Sequence, residues 1–158
     1  MRVVYINASV ALRAALPSHQ RDAWRDWLTA TKDGAPIVSA RLLRTEMIRA
    51  LRRDGIDLVE ADKVLGRVRM LPVTGATFVD AEQIGPTVKT LDALHLASAQ
   101  FFGRQAGVDL TLLTHDQTMR SVAETMGLRT FDPVGPDNTP HAVEWPMSPG
   151  RDVNPGEP

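Results

Sequence analysis

Short apolar runs that alternate with longer helical segments constrain the fold of this chain more than any other feature. The runs have the length of β-strands and lie at residues 2–6, 36–38, 70–73, 110–114 and, as a short edge strand, 128–131. Strands that alternate with helices form βαβ units, and such units build a parallel sheet wrapped by helices. The sequence therefore predicts an α/β fold with a central parallel sheet of four or five strands and with ligands bound beyond their carboxyl ends.

Hydroxyl side chains precede several of the helical segments and predict where helices begin. Ser and Thr are favoured N-cap residues because their oxygen accepts a hydrogen bond from the first turn. On this basis we expect helix caps at Ser9, Ser39, Thr77 and Thr90. A further helix over residues 116–126 is expected to end at Gly127.

The composition excludes several kinds of chemistry. The chain has no Cys, so disulfides, thiol nucleophiles, iron–sulfur centres and Cys-based zinc sites are excluded, and its 4 His are scattered. No apolar run reaches the ~20 residues of a membrane span, and the first residues lack a signal peptide's cleavage site. We therefore expect a cytoplasmic protein with no membrane partner, in which carboxylates, hydroxyls and Arg perform any chemistry.

The carboxyl-terminal stretch differs from the rest in composition. Seven of the 11 Pro lie between Pro133 and Pro158, where no apolar periodicity is visible. Proline disfavours helix at itself and at the residue before it. We therefore predict one domain over residues 1–132 and an extended Pro-rich tail over 133–158 that folding does not require.

Four polar side chains stand at strand ends or on helices that follow strands. They are Asn7, Glu46, Asp92 and Asp116. Each has an ordinary structural explanation: Asp116 as a helix cap, Asp92 as an acid favoured by the helix dipole, and Glu46 as a surface partner of Arg49. Considered singly, these explanations are the better ones.

The segments around these residues resemble one family in order and spacing. They are Val4–Ser9 (VYINAS), Thr45-Glu46, Thr90–Ala97 (TLDALHLA), and Leu113–Asp116 (LTHD) with Gly127-Leu128 further on. Together they resemble the PIN-domain ribonucleases and, within them, the VapC toxins of bacterial toxin–antitoxin pairs. The resemblance covers residues 1 to about 132 and implies a three-layer α/β sandwich.

The resemblance also implies a function, a site and partners. It implies an endoribonuclease toxin with Mg²⁺ or Mn²⁺ held by Glu46, Asp92 and Asp116, with Asn7 at the fourth ligand position. Ser9 and Thr114 are implied as supporting hydroxyls, and Arg49 and Arg53 are the best candidates for RNA phosphate contacts. The implied partners are a VapB-type antitoxin, the RNA substrate and a second copy of the chain.

The chemistry of RNA hydrolysis explains such a set of residues. A divalent cation activates a water and neutralises charge on the phosphoryl oxygens, and Mg²⁺ prefers a few carboxylate oxygens. Without a cation, neighbouring carboxylates repel each other and raise one another's pKa. The acidic cluster therefore implies a cation.

Asn7 departs from the family pattern, which has Asp at this place. The amide retains the shape and one oxygen but loses a unit of negative charge. Two interpretations are open: a natural Asn in a weakened or inactive nuclease, or a substitution introduced to make a toxic nuclease harmless to its host.

Two other functions compete with the nuclease. One is a catalytically inactive PIN-like module that binds RNA or protein, which the loss of the first acid favours. The other is a phosphatase of the haloacid-dehalogenase type, which also places Asp after the first strand. That chemistry needs a nucleophilic Asp and a second acid two residues later, where this chain has Asn7 and Ser9, so the phosphatase is disfavoured.

Overall fold

A five-stranded parallel sheet forms the centre of the protein in the computed structural model, which describes residues 1–145. The strands are β1 (Arg2–Ile6), β2 (Ile37–Ala40), β3 (Arg69–Leu71), β4 (Asp109–Leu113) and β5 (Arg129–Phe131). Their order in the sheet is β3-β2-β1-β4-β5, and every neighbouring pair is parallel. The predicted parallel sheet, including the short edge strand, is confirmed.

Helices cover both faces of this sheet. They are α1 (Ala8–Ala11), α2 (Arg21–Gly34), α3 (Leu42–Arg53), α4 (Val59–Leu65), α5 (Gly75–Glu82), α6 (Thr90–Ala106) and α7 (Gln117–Thr125), with 3-10 turns at Leu12–Ala14 and Pro136–Asn138. In the part of the chain that the structure describes, no helix combines the length and the apolar character needed to span a membrane.

Strand β1 separates two hydrophobic cores. Val4 and Ile6 pack with α1 to α4, whereas Val3 and Tyr5 pack with α6 and α7 on the other face. Successive side chains of a strand point to opposite faces, so a strand buried on both sides is apolar throughout. The three-layer arrangement implied by the family resemblance is confirmed.

None of the four predicted cap residues occupies the N-cap position of a helix. Ser9 lies inside α1, and Asn7 caps that helix instead. Ser39 lies in β2 and its buried hydroxyl donates to the Ile6 carbonyl at 2.8 Å. Thr90 is the first residue of α6, with no side-chain cap before it.

The helix cap at Thr77 is also misplaced by three residues. Thr74 caps α5, and Thr77 is its reciprocal partner in a capping box. Local sequence does not distinguish a hydroxyl at the cap from one inside the first turn, because both can bond the same orphan amides.

Part of the predicted tail packs against the domain. Val134, Val143 and Trp145 contact the core between the sheet and α1 to α4. The indole N–H groups of Trp24 and Trp27 donate to the carbonyls of Asn138 and His141. Residues 134–145 are therefore not a free extension. The boundary at residue 132 and the expectation that folding does not require the tail stay predictions, and residues 146–158 lie outside the described part.

Removal of residues 133–158 should therefore lower stability, whereas the shorter deletion of residues 146–158 serves as its matched control. The longer deletion removes the carbonyls that accept the two indole N–H groups, at about 0.5–1.5 kcal/mol for each lost hydrogen bond, and exposes apolar surface. We expect its thermal midpoint to lie roughly 10 °C or more below that of the control. Equal midpoints in calorimetry would show that the contacts of residues 133–145 contribute nothing.

Candidate functional site

Asn7 and Asp116 are brought together by the pairing of β1 with β4. Ile6 lies opposite Leu113, so the chain leaves both strands at the same edge of the sheet. Asn7 then caps α1 through Oδ1, which accepts the Ser9 N–H at 2.7 Å, and its Nδ2 donates to Met119 Sδ at 3.1 Å. Asp116 caps α7 by accepting the Met119 N–H at 2.8 Å. Both side chains thus contact Met119.

Glu46 is held by a buried chain of hydrogen bonds. Its Oε2 lies 2.6 Å from His95 Nε2, and His95 Nδ1 lies 2.8 Å from the Tyr5 hydroxyl. That hydroxyl also accepts the Ala40 N–H at 3.0 Å. Glu46 therefore bonds to His95 of α6. It does not pair with Arg49, the partner that the structural explanation of this residue proposed.

This chain of bonds assigns the His95 tautomer. Burial raises the pKa of the Tyr5 hydroxyl, which therefore stays protonated and donates a hydrogen bond to His95 Nδ1. An imidazole that accepts at one nitrogen carries its proton on the other. His95 Nε2–H therefore donates to the Glu46 carboxylate and restricts its position.

Asp92 lies near the other acids, on the first turn of α6. Its pKa is raised, first by burial and then by the charge of Asp116, and the charge of Glu46 adds a smaller increase. The helix dipole favours a negative charge at this place and so lowers the pKa of an acid there. Burial and the like charges raise the Asp92 pKa by more than the dipole lowers it. The three acids thus share one electrostatic environment.

The predicted supporting residues have different roles. Thr114 is fully buried and its hydroxyl accepts the Asp116 N–H at 3.1 Å. Ser9 donates its N–H to Asn7, whereas its buried hydroxyl has no partner among residues 1–145. His115, next to Asp116, is half-buried, and burial followed by the charge of Arg13 lowers its pKa.

The two predicted phosphate-binding arginines are both exposed. Arg53 binds the Asp54 carboxylate through Nε at 2.8 Å and Nη2 at 3.1 Å. Arg49, one turn after Glu46, forms no ion pair within the described residues. Arg49 is therefore the freer of the two.

The donor set fits a hard divalent cation by its chemistry. Carboxylate and amide oxygens are suitable ligands, and a cation would relieve the repulsion that raises the Asp92 pKa. Within residues 1–145, however, no three His, Asp or Glu side chains form a ready-made metal site. One oxygen each of Asn7, Glu46 and Asp116 already accepts a hydrogen bond.

Comparison with known proteins decides the family. Residues 4–125 match the PIN domain profile. The chain belongs to the PIN-domain family. The ribonuclease VapC46 of Mycobacterium tuberculosis is 34% identical over 136 residues, which cover 84% of this chain and 99% of that protein. The ribonuclease VapC47 of the same species is 29% identical over 135 residues, covering 83% and 97%.

Two solved structures of other proteins have a similar fold. The crystal structure of VapBC2 from Rickettsia felis, bound to a DNA fragment from its promoter, aligns with a TM-score of 0.62 and 12% identity over 84% of this chain and 98% of that chain. PAE2754 from Pyrobaculum aerophilum aligns with a TM-score of 0.51 and 20% identity over 82% and 92%. The resemblance of the sequence to PIN-domain proteins is confirmed, and PIN-domain ribonucleases generally depend on divalent metals.

Sequence reasoning missed two residues of this PIN domain. Tyr5 was assigned only to a buried strand, and Met119 only to a helix. The polar hydroxyl of Tyr5 within an otherwise apolar strand is a signal, because a buried Tyr usually finds a hydrogen-bond partner. No sequence signal identifies Met119 as the partner of Asn7.

Asp92→Asn should stabilise the metal-free protein at neutral pH. A carboxyl whose pKa is raised by folding contributes stability that is complete below its ordinary value of 3.8 and is lost as pH rises through the folded pKa. The variant should therefore have the higher thermal midpoint at neutral pH, and the difference should shrink on acidification. Asp26→Asn, on the exposed face of α2, is the control; an equal response of both variants would contradict the assignment.

Nitrogen NMR should find His95 as the Nε2–H tautomer. Tyr5→Phe retains the ring but leaves His95 Nδ1 and the Ala40 N–H without their partner, at about 1–3 kcal/mol for each unpaired group. We expect a changed His95 Nδ1 shift and a lower free energy of unfolding. A native spectrum with the proton on Nδ1 would refute the assigned direction of the hydrogen bonds.

Proposed function

We propose that this chain is a divalent-metal-dependent endoribonuclease toxin that cleaves RNA phosphodiesters and is inhibited by a cognate VapB-type antitoxin. The proposal is supported by three findings: Asn7 and Asp116 follow two paired strands at one edge of the sheet, the charges of Asp116 and Glu46 raise the pKa of Asp92, and relatives of the chain are VapC ribonucleases. Mg²⁺ is the proposed cation, with Mn²⁺ as its substitute, and Glu46, Asp92, Asp116 and Asn7 would hold it.

The bound cation would supply activation of a water and neutralisation of charge on the phosphoryl oxygens. The chain's own residues prepare the site for this. His95 restricts the Glu46 carboxylate, and Thr114 positions the backbone of Asp116. Asp92 is half-buried and feels the charges of the exposed Asp116 and the partly buried Glu46, so negative charge is concentrated at this place.

Arg49 is the proposed contact to an RNA phosphate next to the cluster. It is exposed on α3, one turn after Glu46. Arg53 is the weaker candidate because two nitrogens of its guanidinium, Nε and Nη2, already bind the Asp54 carboxylate. A homodimer is retained as a proposal from the family resemblance.

Asn7 supports a second candidate function, a catalytically inactive PIN-like module that binds RNA or protein. Its amide N–H donates to Met119 Sδ, which a carboxylate cannot do. It also leaves three acids instead of four in a half-buried cluster, which limits their repulsion. An amide at this position thus suits a metal-free protein.

Asn7→Asp should raise Mg²⁺-dependent cleavage of total cellular RNA. A carboxylate offers a full charge to the cation, whereas an amide offers only a dipole, and one well-placed electrostatic group is worth about 10²–10³ in rate. The chain as it stands should cleave slowly or not at all, and EDTA should abolish the gain. Aspartate is also a good N-cap, so α1 should remain intact.

Two controls separate the candidate functions. Asp116→Ala in the Asn7→Asp background should remove the cleavage again, and calorimetry should show tighter Mg²⁺ binding by the single variant than by the double one. Inactivity of both forms on many RNAs, with RNA binding retained, would favour the inactive module. Equal activity of the native chain and the Asn7→Asp variant would remove position 7 from the site.

A further inference from the structure

Helix α3 and the residue before it carry a concentration of positive charge. Residues 41–53 contain five arginines and one acid, Glu46, so this segment has a net charge of +4 on a chain whose net charge is -1. No lysine lies in the segment. The charge of the protein is therefore distributed unevenly, and a local field of this sign attracts anionic partners.

Three of these arginines lie on one side of the helix. At about 3.6 residues per turn, Arg41, Arg49 and Arg52 fall within about 80° of one another around the helix axis, and Thr45 falls between them. All four residues are exposed, and the three arginines form no ion pair within residues 1–145. We call these four residues the arginine face.

The other two arginines of the segment are paired with acids. Arg44 Nη1 lies 3.5 Å from Asp62 Oδ1, and Arg53 Nε lies 2.8 Å from Asp54 Oδ1. The arginine face therefore consists of the guanidinium groups of α3 that no acid neutralises in the part of the chain that the structure describes.

Helix stability does not explain the arginine face. The positive end of the helix dipole lies at the N-terminus, where a cation is disfavoured, and Arg41 is the cap residue of α3. Arg49 and Arg52 stand three positions apart, a spacing at which like charges destabilise a helix. A polyanion bound to the face would offset both unfavourable interactions.

The make-up of this surface favours a nucleic-acid backbone over a protein partner. The exposed large apolar side chains of residues 1–145 all lie outside α3, whereas protein interfaces have an apolar centre and a polar rim. Guanidinium groups bind phosphates through two parallel hydrogen bonds. The face also borders the acid cluster, because Thr45 directly precedes Glu46, whose carboxylate is held by His95.

We propose that the arginine face binds the sugar–phosphate backbone of the RNA where the strand leaves the acid cluster, and that this binding needs no metal. The inference rests on the proposed function, since it gives the path of that substrate beside the same site. Arg41 and Arg52 are about 16 Å apart along α3, at about 1.5 Å per residue. The face is therefore long enough to contact more than one phosphate.

Fluorescence anisotropy of a short, labelled single-stranded RNA, titrated with the native chain in EDTA, tests the proposal in the absence of cleavage. We expect saturable binding whose log Kd changes linearly with the log of the salt concentration, with about 0.7 of slope for each phosphate neutralised. Arg49→Ala and Arg52→Ala should each weaken binding and reduce the slope by about 0.7, and Arg41→Ala should act in the same direction. Arg52→Lys, which keeps the charge, should retain the native slope.

Arg104→Ala is the matched control for Arg52→Ala. Both arginines are exposed and stand in the last turn of a helix, Arg52 in α3 and Arg104 in α6. Both variants remove one charge, but only Arg52 belongs to the arginine face, so the control should keep the native slope. Equal slopes for the two variants would overturn the proposal, and so would tighter Arg52-dependent binding of a DNA duplex than of the RNA.

Cleavage kinetics separate this proposal from the proposed function. In the Asn7→Asp background with Mg²⁺, alanine at positions 41, 49 and 52 together should raise KM more than it lowers kcat. Cleavage with an unchanged KM would overturn the arginine face and leave the nuclease intact. Absence of all cleavage together with Arg52-dependent RNA binding in EDTA would refute the nuclease and retain the arginine face.

Discussion

The parallel pairing of β1 with β4 is the constraint on which the rest of the site depends. Because Ile6 lies opposite Leu113, the chain leaves the two central strands at one edge, and Asn7 and Asp116 begin their helices side by side. Both residues cap a helix and both contact Met119. Their ordinary role as caps and their proposed role as ligands are therefore compatible, because each cap uses one oxygen and leaves the side chain fixed.

Electrostatic repulsion is the second determinant of the site. Asp92 is partly buried and is repelled by the charges of Asp116 and Glu46. Its raised pKa shows that ionisation of Asp92 costs free energy at this place. The fold offsets this cost in two ways: His95 donates a hydrogen bond to the Glu46 carboxylate, and position 7 carries a neutral amide. A cation would offset it further, which is why the arrangement favours metal binding although no ready-made set of three ligands exists in the described part of the chain.

The segment after β5 contributes to the packing of the domain. Trp24 packs in the core and donates its indole N–H to the Asn138 carbonyl. Arg13 Nη1 donates to the side chain of the same residue, Asn138 Oδ1, at 3.2 Å. The turn around Asn138 therefore joins this segment to the residues that follow α1 and to α2.

The apolar pattern alone determined the fold class. Strands that are apolar throughout, such as Val3–Ile6, imply burial on both faces, and their alternation with helices implies a parallel sheet. The local motifs around Asn7, Glu46, Asp92 and Asp116 were enough to identify the family and to nominate the site, because these residues follow strands or begin helices in a fixed order.

Contacts between distant parts of the chain could be decided only by the tertiary structure. The Tyr5, His95 and Glu46 side chains come from three elements, and Tyr5 and His95 are 90 positions apart, so no local pattern encodes their bonds. The packing of Trp145 on the core has the same origin. The sequence of residues 133–145 predicts a free Pro-rich tail, because it does not show the surface on which the few apolar residues of this segment are buried.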